Sequence, residues 1–365
     1  MKDMKTRAYN FGAGPATLPE SILAEAQAEL LNWQDLGLSI LEIGHRTPEF
    51  ISLLEQAEAD LRLLLAIPKH YHVLFLSGAA RTQFAMIPMN FLAKGERAGY
   101  LVSGIWSELA FKEAQKLADV YCLASSKDQE YKTVPNAVDY PVDANTRYIY
   151  YTPNETINGV RYPQVPQVPV PLIADMTSCL LSEPINVTDF GLIFAGAQKN
   201  ISIAGLTVVI VRHDLLDLIS HASIPTMLDY RTHAQYKSLY ATPPVFNCYI
   251  AAKMFAWVKK QGGVSTLYQQ NCQKAAKLYT YIDHSEFYNC PVAKEARSLM
   301  NVCFSLPTQE LEEKFIMRAA EQGLLALRGH RAVGGLRASL YNAMPMDGVE
   351  ALIGFMQDFA EEYHS

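Results

Sequence analysis

Apolar positions along the chain recur with two periods, and the change of period marks the elements. Behind Thr47-Pro48, the residues Phe50, Leu53, Leu54, Ala57, Leu61 and Leu64 keep helical spacing, and Pro68 follows. This predicts a helix that opens at Thr47. Upstream, Thr17-Leu18-Pro19-Glu20 has the form of a capping box and predicts a helix from there to about Gly37. An extended segment then leads to Gly44-His45-Arg46. From His72 onward, short apolar runs alternate with longer amphipathic ones. Strands are predicted at 72–76, 99–103, 147–152, 168–174, 192–195 and 206–211, with helices at 81–92 and 106–118. Strands alternating with helices imply an α/β fold with a mostly parallel sheet covered on both faces.

After Val211 the pattern turns helical through 250–260, and Gln261-Gly262-Gly263 breaks it. Beyond lie helices and short strands such as 300–306. The expectation is a large domain over 19–263 and a smaller α+β C-terminal domain over 264–365, joined by residues 1–18.

The 365 residues are 50% hydrophobic and 19% charged, enough for two cores. A formal net charge of −6 argues against a nucleic-acid binder. No apolar run is long enough to span a membrane, and the first residues lack an apolar signal core, so the expected location is cytoplasmic. Six scattered cysteines show no metal-ligand or disulfide spacing and read as reduced core thiols.

Candidate chemistry falls at the strand ends, where ligands of such sheets bind. The apolar run 192–195 ends in Gly196-Ala197-Gln198-Lys199. An amine held past a buried strand by apolar walls loses part of its charge and becomes a nucleophile, which suits a Schiff base with an aldehyde cofactor. The preceding strand closes on Asp175, placed to hold a protonated pyridine nitrogen. Ser77-Gly78-Ala79-Ala80-Arg81 joins a strand to a helix start, where free N–H groups take up phosphate. Trp106 follows another strand end and would stack on a ring, and the Thr156 hydroxyl would reach the ring oxygen. His45-Arg46, Arg81, Arg328, His330-Arg331 and Arg337 lie in or beside glycine-containing loops. Guanidinium forks there suit a substrate with several negative charges.

These residues sit in longer motifs: NFGAGPATLP (10–19), GHR (44–46), TPNETINGV (152–160), AGAQKN (195–200), TPP (242–244) and GHRAVGGLRASLYNAMP (329–345). On them the chain resembles the phosphoserine aminotransferases, pyridoxal 5'-phosphate (PLP) enzymes among the class V aminotransferases, over nearly its whole length. The resemblance implies the aspartate-aminotransferase-like fold and amino transfer from glutamate to 3-phosphohydroxypyruvate in serine biosynthesis. It also implies a related reaction that forms 4-phosphohydroxythreonine on the route to pyridoxine. Lys199 would carry PLP and move the proton, and Asp175 would hold the ring nitrogen. Trp106 would stack, Thr156 would meet the ring oxygen, and Gln198 with the N–H groups of Ala80 and Arg81 would hold the phosphate. The resemblance further implies a homodimer with shared sites, in which the Ala241-Thr242 segment reaches the neighbour's PLP phosphate. Arg337 would bind the α-carboxylate, and His45, Arg46, Arg81, His330 and Arg331 the substrate phosphate or the glutamate side chain.

Three departures bear on cofactor affinity. Ala79-Ala80 replaces a glycine turn and fits without strain only at negative φ. Ala241 stands where the family often has asparagine, and Gly12-Ala13 lacks the usual serines. Two alternatives stay open. One is another class V enzyme, such as a desulfurase working through Cys179. The other is a catalytically silent relative acting as a binding protein, against which the retention of Lys199 and Asp175 speaks.

Overall fold

The structure, a computed structural model, describes residues 7–135, 140, 142–219 and 223–363. Residues 1–6 and 364–365 of the expected smaller unit lie outside the described residues. The chain begins with β1 (Tyr9–Asn10), α1 (Glu20–Glu29), α2 (Pro48–Leu65), β2 (Tyr71–Ser77) and α3 (Thr82–Phe91). It continues through β3 (Arg97–Val102), α4 (Ile105–Ala114), β4 (Asp119–Ser125), β5 (Thr146–Tyr151), β6 (Asn154–Glu155) and β7 (Val160–Arg161). Next come β8 (Leu172–Asp175), β9 (Leu192–Gly196), β10 (Leu206–Arg212), α5 (His213–Asp217), α6 (Tyr230–Gln235), α7 (Val245–Lys260) and α8 (Gly263–His284). The last are β11 (Asn301–Phe304), α9 (Gln309–Glu321), β12 (Leu324–Leu325), β13 (Leu336–Ser339) and α10 (Met346–Tyr363).

Seven strands form one sheet in the order β2-β10-β9-β8-β5-β3-β4. β10 runs antiparallel to both its neighbours; the pairs from β9 to β4 are parallel. All strands but β10 therefore end at one edge. Side chains alternate between the two faces with period two. Ile193 and Ala195 of β9 pack under α1, α2 and α7, whereas Leu192 and Phe194 pack under α3, α4 and α6. A third core joins Phe11, the C-terminal half of α8, β11, α9, β13 and α10. The N-terminal segment enters it through the parallel pairing of β1 with β12. Val264 and Leu267 of α8 belong instead to the first core, so this helix joins the two cores. Among the described residues, no helix is long and apolar enough to cross a membrane.

Local chemistry explains where the elements depart from expectation. Thr17 caps nothing; its hydroxyl donates to the Asn10 carbonyl at 3.0 Å, and Pro19 precedes α1 without a side-chain cap. That helix stops at Glu29, because the Asn32 side chain accepts the Gly37 N–H at 2.8 Å and draws the chain into a turn. β8 begins at Leu172 rather than 168, since Pro169 and Pro171 have no N–H to give the ladder. The sheet also gains β4, a half-exposed edge strand that apolar patterning did not signal. Thr47 does cap α2, accepting the Phe50 N–H at 3.4 Å with Pro48 in the first turn.

Candidate active site

Five strand ends converge on a cavity of about 340 Å³. β8 delivers Asp175 and the turn after β9 delivers Gln198 and Lys199. The turn after β2 brings Ala80 and Arg81; α4 brings Trp106; the hairpin of β6 and β7 brings Thr156. His330 and Arg337, from the C-terminal part of the chain, close the wall.

Lys199 is buried, and its Nζ donates to Thr156 Oγ1 at 2.5 Å. Burial lowers its pKa to about 8; the Asp175 carboxylate opposes this and the Arg337 charge adds to it. The amine therefore gives up its proton far more readily than an exposed lysine does. Burial pushes the Asp175 carboxyl upward, while the Thr177 N–H, at 2.9 Å from Oδ1, and the Lys199 charge pull it back. Gly14 lies across the lysine stem. A Cβ there would stand 3.3 Å from Gln198 Cγ and 3.6 Å from Lys199 Cγ, and its φ of +145° also disfavours a side chain.

The turn after β2 settles the question raised by its alanines. Gly78 has φ +110°, but Ala79 and Ala80 keep negative φ, so their methyl groups introduce no backbone strain. The N–H groups of Ala80 and Arg81, ahead of α3, donate to no acceptor among the described residues. The Arg81 guanidinium lies 4.8 Å from the Trp106 ring centroid. Arg337 is buried, and its Nη1 donates to the Thr156 carbonyl at 3.3 Å. Burial and the charges of Arg337, Arg331 and Arg81 together lower the pKa of His330. Three cavity-lining donors, Trp106 Nε1, Thr152 Oγ1 and Arg337 Nε, are buried without a partner among the described residues. Such a wall of unsatisfied donors and cations, with a depressed lysine amine beside a carboxylate, fits an aldehyde cofactor carrying oxygen-rich anionic groups.

Six anticipated residues do not line this cavity. His45 is half-buried, and Arg46, Arg331 and Thr242 are exposed. Ala241 borders a separate hollow of about 170 Å³ that also touches Ser77 and Thr82. Arg328 turns away to an ion pair with Glu313. Residues without an assigned role do take part. Glu155 is fully buried and binds the first turn of α4. The Tyr341 ring lies 6.0 Å from Lys199 Nζ, and its hydroxyl donates to the Ala13 carbonyl at 2.9 Å. Both stand inside quoted motifs, but their partners are distant in sequence. Cys179 is buried with its thiol pKa raised well above the usual range, which removes the nucleophile a desulfurase would need.

The fold, its family and its relatives together define a PLP-dependent transaminase. The class V aminotransferase model matches residues 8–352, and the chain belongs to that family. Within the family its similarity is to phosphoserine aminotransferases. The phosphoserine aminotransferase of Legionella pneumophila is 63% identical over 360 residues, covering 98% of this chain and 99% of its own length. That of Hahella chejuensis is 50% identical over 358 residues, with 98% and 99% covered. The solved phosphoserine aminotransferase of Bacillus circulans subsp. alkalophilus superposes with a TM-score of 0.95 at 45% identity, covering 98% of this chain and 99% of that one. The PLP-bound enzyme of Trichomonas vaginalis gives 0.89 at 37% identity, with 96% and 100% covered.

Proposed function

We propose that this aminotransferase exchanges an amino group between glutamate and 3-phosphohydroxypyruvate, giving phosphoserine and 2-oxoglutarate in serine biosynthesis. The same chemistry would form 4-phosphohydroxythreonine for pyridoxine synthesis. The observation that carries the reading is one cavity in which a buried lysine of lowered pKa and a buried carboxylate face Arg81, His330 and Arg337. Full-length similarity to phosphoserine aminotransferases supports the choice of substrates.

PLP, when bound, supplies an electron sink for the charge that develops at the substrate Cα. Lys199 would hold the cofactor and carry the Cα proton on Nζ, a task its lowered pKa suits. Asp175 would hold the ring nitrogen protonated. Trp106 would cover the ring and Thr156 would donate to the ring oxygen. The N–H groups of Ala80 and Arg81, with Gln198, would hold the phosphate at the start of α3. Arg337 would orient the substrate α-carboxylate. His330 and Arg81 would take the distal phosphate or carboxylate, joined by Arg331, His45 and Arg46. The exposure of Arg46, Arg331 and Thr242 is accounted for if a second copy of the chain completes each site. Thr242, with Ala241, would then approach the partner's PLP phosphate. The frame for this is the division into 19–263 and 264–365 with 1–18, in a cytoplasmic homodimer.

The test is a half-reaction. The purified yellow protein is mixed with phosphoserine, or with serine, and the cofactor absorbance is followed. Conversion by phosphoserine alone supports the assignment. Equal conversion by serine or alanine replaces the substrate, and no colour or response refutes the PLP reading.

A further inference from the structure

The start of α4 has an unusual cap. Three successive N–H groups that a helix N-terminus leaves without internal partners are taken by side chains of one distant hairpin. Ile105 N–H donates to Asn158 Oδ1 at 3.1 Å, Trp106 N–H to Glu155 Oε2 at 3.0 Å, and Ser107 N–H to Glu155 Oε1 at 2.8 Å. Ser107 Oγ closes the turn from within by accepting the Ser103 and Gly104 N–H groups at 2.9 and 3.1 Å. Glu155 has no solvent exposure. A carboxylate in that position answers both the free donors and the positive end of the helix dipole.

The contact is built into the backbone opposite. A Cβ on Gly104 would stand 2.4 Å from Glu155 Cδ and 2.7 Å from Oε2. The φ of Gly104 is −179°, which any residue adopts, so what the glycine provides here is space for the carboxylate. On the other side of the same hairpin, Thr156 accepts the Lys199 amine through its hydroxyl and the Arg337 guanidinium through its carbonyl. Glu155 therefore grips the helix that carries Trp106, while Thr156 grips the lysine.

We propose that Glu155 is a positioning residue for Trp106: its carboxylate fixes the first turn of α4 and with it the place of the indole in the cavity wall. The inference rests on the reading of this cavity as the PLP site. Burial pushes the Glu155 carboxyl up to about 7, and the N–H groups of Ser107 and Trp106 act to keep it ionised. The side chain touches no reacting atom. Its effect passes through Trp106.

The experiment is a double-mutant cycle read on PLP affinity. Apo protein is dialysed against PLP, and bound cofactor is measured by its absorbance, for wild type, Glu155→Gln, Trp106→Ala and the double variant. Glutamine keeps the size but can accept only one of the two N–H groups. The expected result is a PLP dissociation constant raised about tenfold by Glu155→Gln in the wild-type background, the scale of one charge-assisted hydrogen bond. In the Trp106→Ala background the same change should shift it by less than about twofold. A tenfold loss in both backgrounds would mean a general structural role and overturns the proposal, as does no loss in either. Failure of the wild type itself to take up PLP would refute the reading of the cavity first. Should Glu155→Gln not fold, Gly104→Ala displaces the carboxylate from the other side and must give the same Trp106-dependent loss.

Discussion

Lys274 offers a test of how this fold tolerates a charge far from the chemistry. It lies on α8, only 3% exposed, and its Nζ donates to the carbonyls of Leu340, Tyr341 and Met344 at 3.3, 3.0 and 3.0 Å. Among the described residues, no carboxylate is among its partners. Burial lowers its pKa from 10.5 to about 7. Between those values the unfolded chain holds a proton that the folded chain has released, so stability rises with pH across the window. One such proton is worth about 1.4 kcal/mol per pH unit. Starting from half-protonation at about pH 7, the gain by about pH 8.5 is roughly 1.6 kcal/mol. Lys274→Met should abolish that gain. Its absolute stability mixes the relief of a buried charge with three carbonyls losing a donor, so the slope is the informative quantity. The assay is urea unfolding of both proteins at several pH values over this window. Lys199, with its pKa near 8, titrates in both and cancels in the difference. The lowered His72 and His330 titrate below the window, while Glu155, at about 7, and the thiols, which titrate near ~8.5 in the unfolded chain, contribute alike to both proteins and cancel as well. Parallel slopes for the two proteins would refute the reasoning and show that the three carbonyls keep the ammonium charged.

Further predictions concern the site. Gly159→Ala should destabilise by roughly 2–4 kcal/mol in urea unfolding, since strain and overpacking combine. Gly159 has φ +73°, and a Cβ would stand 2.8 Å from Cys303 Sγ and 2.9 Å from the Asn301 carbonyl oxygen; a loss under about 1 kcal/mol would contradict the crowding. Lys199→Ala should abolish transamination while leaving the circular dichroism spectrum unchanged, and substantial residual turnover would sink its assigned role. Arg331→Ala should raise KM for phosphorylated substrates about tenfold or more with little change in PLP affinity, as expected for the loss of a charge-assisted contact; equal losses in both would count against its place in the substrate pocket.

Much of this protein is written in local pattern. The strands that lead to Asp175 and Lys199 are short apolar runs followed by polar residues, and such runs announce their burial by composition. Small residues around Gly78 and Ala80 likewise announce a strand-to-helix turn. Local pattern fails where a side chain competes with the backbone, as Asn32 does when it ends α1, and where an edge strand such as β4 buries too little to leave a signal. What no local pattern contains is the meeting of distant segments. Glu155 and Trp106, or Lys199 and Arg337, come together only because the parallel strands end at one edge and the C-terminal segment around Arg337 lines the same cavity. The shifted pKa of Lys199 has the same origin. Its value follows from burial and from the charges of Asp175 and Arg337 around it, a property of the assembled cavity that no stretch of the chain carries by itself.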